Sequence, residues 1–308
     1  MIINTIYTSG TVSLLWPFSL SFLNKGLSLR IVTNGCTSGE FVFLKQKEKQ
    51  HSNLEVFKLN NNKLLAHHEV LGILYHFDAD EEYFCFIDSD IYCYQFPSDE
   101  IKDHLNKHKY LSSCPPIWSE NLMVEKDFQK LQGRHFLLRN NEFVGGSYFT
   151  IYSRLALKEV MTTFKYGFDR SWFPKLNHNL QKILLNKGEP YLFERYDTCK
   201  ILNILLNEIG CDGGYLDAKD NLLHIGGVSW NESIVKKRKK VDIVDNSKNE
   251  RLNEVMQTRK LVADYFYKII NKEHQNRSDV KLSLHNNNGL RQNIERQGEK
   301  LIYHLNTI

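Results

Sequence analysis

The stretch Tyr83-Phe84-Cys85-Phe86-Ile87-Asp88-Ser89-Asp90 decides the fold. Its first five residues are apolar without alternation, too short for a helix. They read as a strand covered on both faces, like the central strand of an α/β sheet. The strand runs straight into two carboxylates one residue apart, and open α/β sheets gather their ligands beyond the carboxyl ends of such strands. Asp88 and Asp90 form a compact set of hard oxygen ligands suited to Mg²⁺ or Mn²⁺. The plainer alternative is a solvated Asp-Ser turn.

Towards the N-terminus, Ile2 to Tyr7 is a short β-branched strand broken by Thr8-Ser9-Gly10, followed by a helix ending near Gly26 and a second strand over Leu29 to Thr33. This is the opening of a doubly wound sheet, so Thr8, Ser9 and Gly10 are nucleotide-loop candidates; without a G-x-G-x-x-G they equally serve as a plain turn. Leu54 to Leu59 predicts a third strand and Lys63 to Phe77 a helix. Beyond Asp90, Tyr110 to Cys114 and Phe143 to Tyr152 predict strands, the latter interrupted by Gly145-Gly146. Leu155 to Phe164 and Thr198 to Ile209 predict helices, and Tyr215 to Ile225 a hairpin around Asp217 to Asn221. The glycine pair fits a bulge or the close approach of a substrate to backbone.

Composition narrows the class. The chain has 308 residues, 42% hydrophobic and 25% charged, enough to bury a sizeable core. Net charge is +4, but residues 231–308 carry 16 Lys/Arg against 10 Asp/Glu, so the basicity belongs to the tail. A catalytic domain over 1–230 and a basic helical extension over 231–308 follow. Residues 1–230 are slightly acidic and hold no nucleic-acid motif, which argues against nucleic acid as partner. The tail has the basic run Lys236 to Lys240 and a stripe of Leu252, Val255, Met256, Val262, Phe266, Ile269 and Ile270. It supports either peripheral contact with an anionic membrane or a helix packed on the catalytic domain or a second copy. Six scattered cysteines fit a reducing cytosol, at most at the inner face of a membrane. The apolar run at 12–23 lacks the basic flank of an export signal and is too short to span a bilayer.

His224 opens the segment His224-Ile225-Gly226-Gly227-Val228-Ser229-Trp230. An imidazole beside two carboxylates completes an N/O set leaning towards Mn²⁺, and Gly227 would let backbone approach a phosphate. A lone histidine at a strand end is more often a hydrogen-bonded structural residue.

At this point a family resemblance enters. Phe86-Ile87-Asp88-Ser89-Asp90-Ile91 resembles the D-x-D segment of GT-A glycosyltransferases, nearest in pattern to the retaining glycogenin-like and lipopolysaccharide galactosyl- and glucosyltransferases. Phe143 to Phe149 is similar to that family's small-residue strand near the acceptor, Tyr196 to Asn203 to its Asp-led helix start, and His224 to Trp230 to its His-x-x-Gly segment. The resemblance implies a GT-A-like Rossmann-type mixed sheet flanked by helices, a UDP-sugar donor, a saccharide or glycolipid acceptor, and Asp88, Ser89, Asp90 and His224 around the metal and diphosphate. It also puts Asp197 in the active site, where a carboxylate stabilises an oxocarbenium-like state; in an inverting enzyme Asp197 or Glu194 would be the general base. Asp197 also suits a helix N-cap. Two departures stand out. No Lys-Pro-Trp follows the His-x-x-Gly segment, so phosphate contacts must come from elsewhere, with Lys236 to Lys240 as candidates; and Thr198 replaces the glutamine after the aspartate. A nucleotidyltransferase and a non-catalytic sugar- or nucleotide-binding module are the competing expectations.

Overall fold

The computed structural model describes residues 1–59, 64–77, 80–119, 135–138, 140–187, 194–231, 234, 250–271, 277, 280–284 and 288–307. Three parallel strands, β1 (Ile3–Thr8), β2 (Leu29–Asn34) and β3 (Leu54–Lys58), are linked by α1 (Val12–Leu23) and α2 (Ser38–Gln50). After α3 (His67–Tyr75) the chain returns to the other edge of β1 as β4 (Tyr83–Ile87), also parallel. Strand order therefore reverses between β1 and β4. Such a switch point opens a crevice at the carboxyl edge, and the residues after Thr8 and Ile87 both fall there.

Next come β5 (Ile91–Cys93), α4 (Ser98–Lys107), β6 (Tyr110–Ser113), β7 (Phe136–Leu137), β8 (Phe143–Val144), β9 (Phe149–Ser153), α5 (Arg154–Phe164), β10 (Ser171–Trp172), α6 (His178–Lys187), β11 (Arg195–Tyr196), α7 (Lys200–Glu208), β12 (Gly213–Leu216) and β13 (Leu222–His224). Helices α8 (Glu250–Asn271) and α9 (Asn288–Asn306) follow. The main sheet runs β12-β6-β9-β4-β1-β2-β3. Because β9 pairs antiparallel with both β4 and β6, the sheet is mixed, as expected for the fold class.

Strand β4 is covered on both faces, as its composition requires. Cys85 and Ile87 pack with α1 and α8 residues such as Phe18, Phe22, Val262 and Phe266, while Phe84 and Phe86 pack with Leu71, Leu157 and Leu202 of α3, α5 and α7. The apolar run at 12–23 is thus a buried helix between the sheet and the C-terminal helices. Val262, Phe266, Ile269 and Ile270 of the tail stripe are buried in the same core, the packed-helix alternative of the two tail readings. Lys236 to Lys240 and the side chains of Leu252, Val255 and Met256 lie outside the described residues. Among the described residues no helix is long and apolar enough to cross a membrane, and none of the six cysteines is bridged.

Three expected elements differ. The predicted hairpin at 215–225 is two strands with separate partners: β12 runs parallel to β6 and β13 antiparallel to β5. The strand expected over 143–152 splits at the glycines, β8 joining β7 in a small ribbon and β9 entering the main sheet. An added Cβ on Gly145 would lie 2.4 Å from Ser112 Cβ, so the pair belongs to tight packing against β6. The helix expected from 63 begins at His67. Helix α2 escaped the sequence reading because only Leu44 of it is buried; it is anchored by a capping box between Thr37 and Glu40 instead of an apolar stripe.

Candidate metal centre

The site is built where β4 ends and β13 returns. The backbone N–H of Asp88 donates to Tyr148 O at 2.7 Å, which ties the strand end to the start of β9, and the Ile225 N–H donates to Asp90 O at 3.2 Å. The antiparallel pairing of β5 with β13 sets His224 opposite Ile91, one residue past Asp90. One ligand atom from each of Asp88, Asp90 and His224 falls within 4.8 Å of the others.

Two of the three side chains are oriented by their other contacts. His224 Nδ1 lies 2.6 Å from Cys114 O, and since a carbonyl only accepts, Nδ1 carries the proton. Nε2 therefore points to the carboxylates, 3.3 Å from Asp90 Oδ1 and 3.5 Å from Asp88 Oδ2. It is buried and makes no hydrogen bond. Asp90 uses its second oxygen, Oδ2, to accept from the N–H groups of Gly227 (3.0 Å) and Val228 (3.2 Å). Gly227 thereby holds a carboxylate with the N–H expected to approach a phosphate. Its φ of +103° is a left-handed conformation that favours glycine.

Electrostatics follow from this packing. Burial, together with the charges of Asp90 and Asp197, raises the Asp88 carboxyl to about 7 against the opposing pull of His224 and Arg259. Burial also opposes ionisation of Asp90, but His224 and the Val228 and Gly227 N–H groups outweigh it and hold Asp90 below the usual carboxylate range. Burial disfavours the His224 imidazolium, yet Asp90 and Asp88 beside it raise its pKa above the ordinary value. An orphaned, buried imidazole nitrogen aimed between two carboxylates is the donor set of a divalent cation with mixed N/O ligation. The backbone carbonyl on Nδ1 fixes the tautomer and the ring orientation that such a ligand needs. The residues present fit a metal.

Gly10 N donates to Glu40 Oε1 at 2.6 Å and Ser9 Oγ to Glu40 Oε2 at 3.2 Å, so the Thr8–Gly10 loop is bonded to the capping glutamate of α2. Ser89 is partly exposed between the two carboxylates. Asp197 is partly buried and within electrostatic reach of Asp88, Lys200 and Arg259. It is not the N-cap of α7, which is Cys199, but its Oδ1 accepts from Thr198 N at 2.9 Å. Glu194 is exposed ahead of β11 and makes no hydrogen bond or ion pair with Asp88, Asp90, His224 or Asp197.

Two residues that sequence reasoning passed over lie behind this group. Lys200 is wholly buried, its Nζ donating to Gly145 O at 2.7 Å, and burial pulls its pKa down to about 7 despite Asp197. His135 accepts the Gly146 N–H on Nδ1 at 2.8 Å and stays neutral because burial disfavours its charge. Lysine after the Asp197 block was visible in sequence, but nothing there signalled burial; His135 was one of twelve histidines. The buried ammonium costs stability wherever it is charged. With a folded pKa below the unfolded one, that cost is full below about 7 and fades as the pH rises towards the unfolded value. Lys200→Met is therefore expected to raise Tm relative to the parent at pH 6 and to lose that advantage by pH 10, a pattern that thermal melts across this range would test.

No protein-family model matches the chain, and no curated protein is a recognisable relative in sequence. Among solved structures, the galactosyltransferase LgtC in complex with donor and acceptor sugar analogs is similar over 84% of this chain and 96% of its own, at 11% identity and a TM-score of 0.44. The bifunctional glycosyltransferase WbbM is similar over 84% of this chain and 51% of its own, at 9% identity and 0.43. The glycosyltransferase GlyE of Streptococcus pneumoniae is similar over 87% and 64%, at 10% identity and 0.42. The site is read from this chain's own geometry.

Proposed function

We propose that this chain is a metal-dependent glycosyltransferase that moves a sugar from a nucleoside-diphosphate sugar to a hydroxyl of a saccharide or glycolipid acceptor. The observation carrying this reading is the buried, hydrogen-bond-free His224 Nε2 aimed between Asp88 and Asp90 at the carboxyl edge of the switch point. Uridine as the base is what the sequence resemblance implies. A divalent ion held by these three residues would act as a Lewis acid on the diphosphate leaving group.

The protein's own groups supply the rest. Gly227 and Val228 fix Asp90, and Cys114 O fixes the His224 ring, so two of the three ligands are arranged before anything binds. Asp197, within electrostatic reach of Asp88, is the carboxylate this reading assigns to stabilising positive charge that develops at the reacting carbon as the leaving group departs. The acceptor oxygen bonds to that carbon as the bond from carbon to the diphosphate oxygen breaks, and the hydroxyl proton passes to the departing diphosphate.

The test is product analysis on purified protein with a panel of sugar nucleotides and Mn²⁺. Release of nucleoside diphosphate, abolished by EDTA and restored by Mn²⁺, is the expected result. Pyrophosphate as product would instead mean nucleotidyl transfer, and turnover unaffected by EDTA would remove the metal.

A further inference from the structure

Helix α8, which lies outside the expected catalytic domain, sends one side chain back to the metal centre. Arg259 packs against the backbone of Gly227 so closely that an added Cβ there would lie 2.6 Å from its Nε and 3.4 Å from its Cγ. Its guanidinium carbon stands 5.7 Å from the centroid of the Trp118 ring, and Trp118 Nε1 donates to Gly226 O at 2.7 Å. The same Gly227 donates its N–H to Asp90. One glycine is therefore clamped between the arginine and a metal-ligand carboxylate. Asp90, Tyr148, Asp197 and Asp88 lie within electrostatic reach of Arg259.

We propose that Arg259 binds the diphosphate of the donor, supplying from the C-terminal helix a cation beside the metal centre. This rests on the glycosyltransferase reading above and adds the residue that contacts the leaving group. Position is the first reason. The guanidinium packs on Gly227, whose N–H holds the metal-ligand carboxylate of Asp90, and lies within electrostatic reach of Asp88 and Asp90. Charge is the second: three carboxylates face a substrate that is itself an anion, and a departing diphosphate gains negative charge. Lys200 is committed to Gly145 O and wholly buried. Chemistry is the third, since a planar guanidinium held over an indole is preorganised to bond two phosphate oxygens at once. Gly227 then has two jobs, a left-handed turn and room for the arginine.

The experiment measures binding of UDP and UMP, and of GDP and GMP, in the presence of Mn²⁺ to the full-length wild type, Arg259→Gln and Arg259→Lys, with Mn²⁺ affinity measured separately. The wild type is expected to prefer diphosphate over monophosphate. Arg259→Gln is expected to weaken diphosphate binding by about 10- to 100-fold, the loss of a charge-assisted phosphate bond, while monophosphate and Mn²⁺ binding change little. Arg259→Lys should fall between, and it decides the matter if the glutamine variant does not fold. An unchanged diphosphate-to-monophosphate ratio would overturn the inference while leaving the metal-site reading standing. Equal weakening of Mn²⁺ and of every nucleotide would overturn it too, assigning Arg259 to holding the Gly227 turn. A wild type that binds no nucleotide with Mn²⁺ would remove the glycosyltransferase reading and the inference with it.

Discussion

Asp90→Asn is expected to lower metal-dependent transfer on the order of a thousandfold, because it removes a charged ligand from a centre worth several kcal/mol of charge stabilisation. The choice of asparagine matters. Asp90 is 7% exposed and its Oδ2 accepts two backbone N–H groups, so Asp90→Ala would strand the Gly227 and Val228 donors in the interior. Each stranded donor costs about 1–3 kcal/mol. The amide oxygen of asparagine keeps both bonds and loses only the charge. Asp88 offers the complementary comparison. Its side chain is 31% exposed and its described polar contact is with His224, so Asp88→Ala is expected to lose activity with little change in Tm. The pattern to measure is therefore two-dimensional: transfer against Mn²⁺ concentration, and Tm, for Asp88→Ala, Asp90→Asn and Asp90→Ala. Loss of transfer in all three, with a large drop in Tm only for Asp90→Ala, is the expected outcome. Wild-type turnover in Asp90→Asn would mean that Asp90 serves the Gly227 turn alone.

The sequence made part of this legible and hid the rest for physical reasons. The all-apolar run before Asp88 announced a strand with two covered faces, because burial on both sides leaves no position for a polar residue. His224 was legible as a candidate third ligand, but its ligand tautomer depends on Cys114 O, a contact across 110 positions in the chain. The hairpin reading of 215–225 failed because two adjacent short strands look alike whether they pair with each other or with β6 and β5. The loop after β1 was legible as a nucleotide loop or a plain turn, but not its bonds from Ser9 and Gly10 to Glu40, whose helix shows no apolar stripe. Arg259 was read as part of a basic tail, since nothing local marks a residue whose neighbours are all distant in sequence.

Mn²⁺ affinity is expected to fall about tenfold or more between pH 8 and pH 6, and Mn²⁺ binding to release protons, because every ligand must be deprotonated to bind. The sign comes from the individual groups. Asp88, raised to about 7, is mostly ionised at pH 8 and mostly protonated at pH 6, and competition at that one group accounts for the tenfold figure. His224, raised above its ordinary value by Asp90 and Asp88, adds a second competing proton in the same direction. Asp90, held below the usual carboxylate range, is ionised throughout and adds nothing to the slope. Calorimetric titrations in buffers of differing ionisation enthalpy would count the protons directly. Asp88→Asn should bind Mn²⁺ more weakly and flatten the profile, leaving only the His224 contribution. Affinity that stays constant from pH 6 to pH 8, with no proton released, would show that the ion does not sit on Asp88 and His224, and the leaving-group chemistry assigned to this edge of the sheet would fall with it.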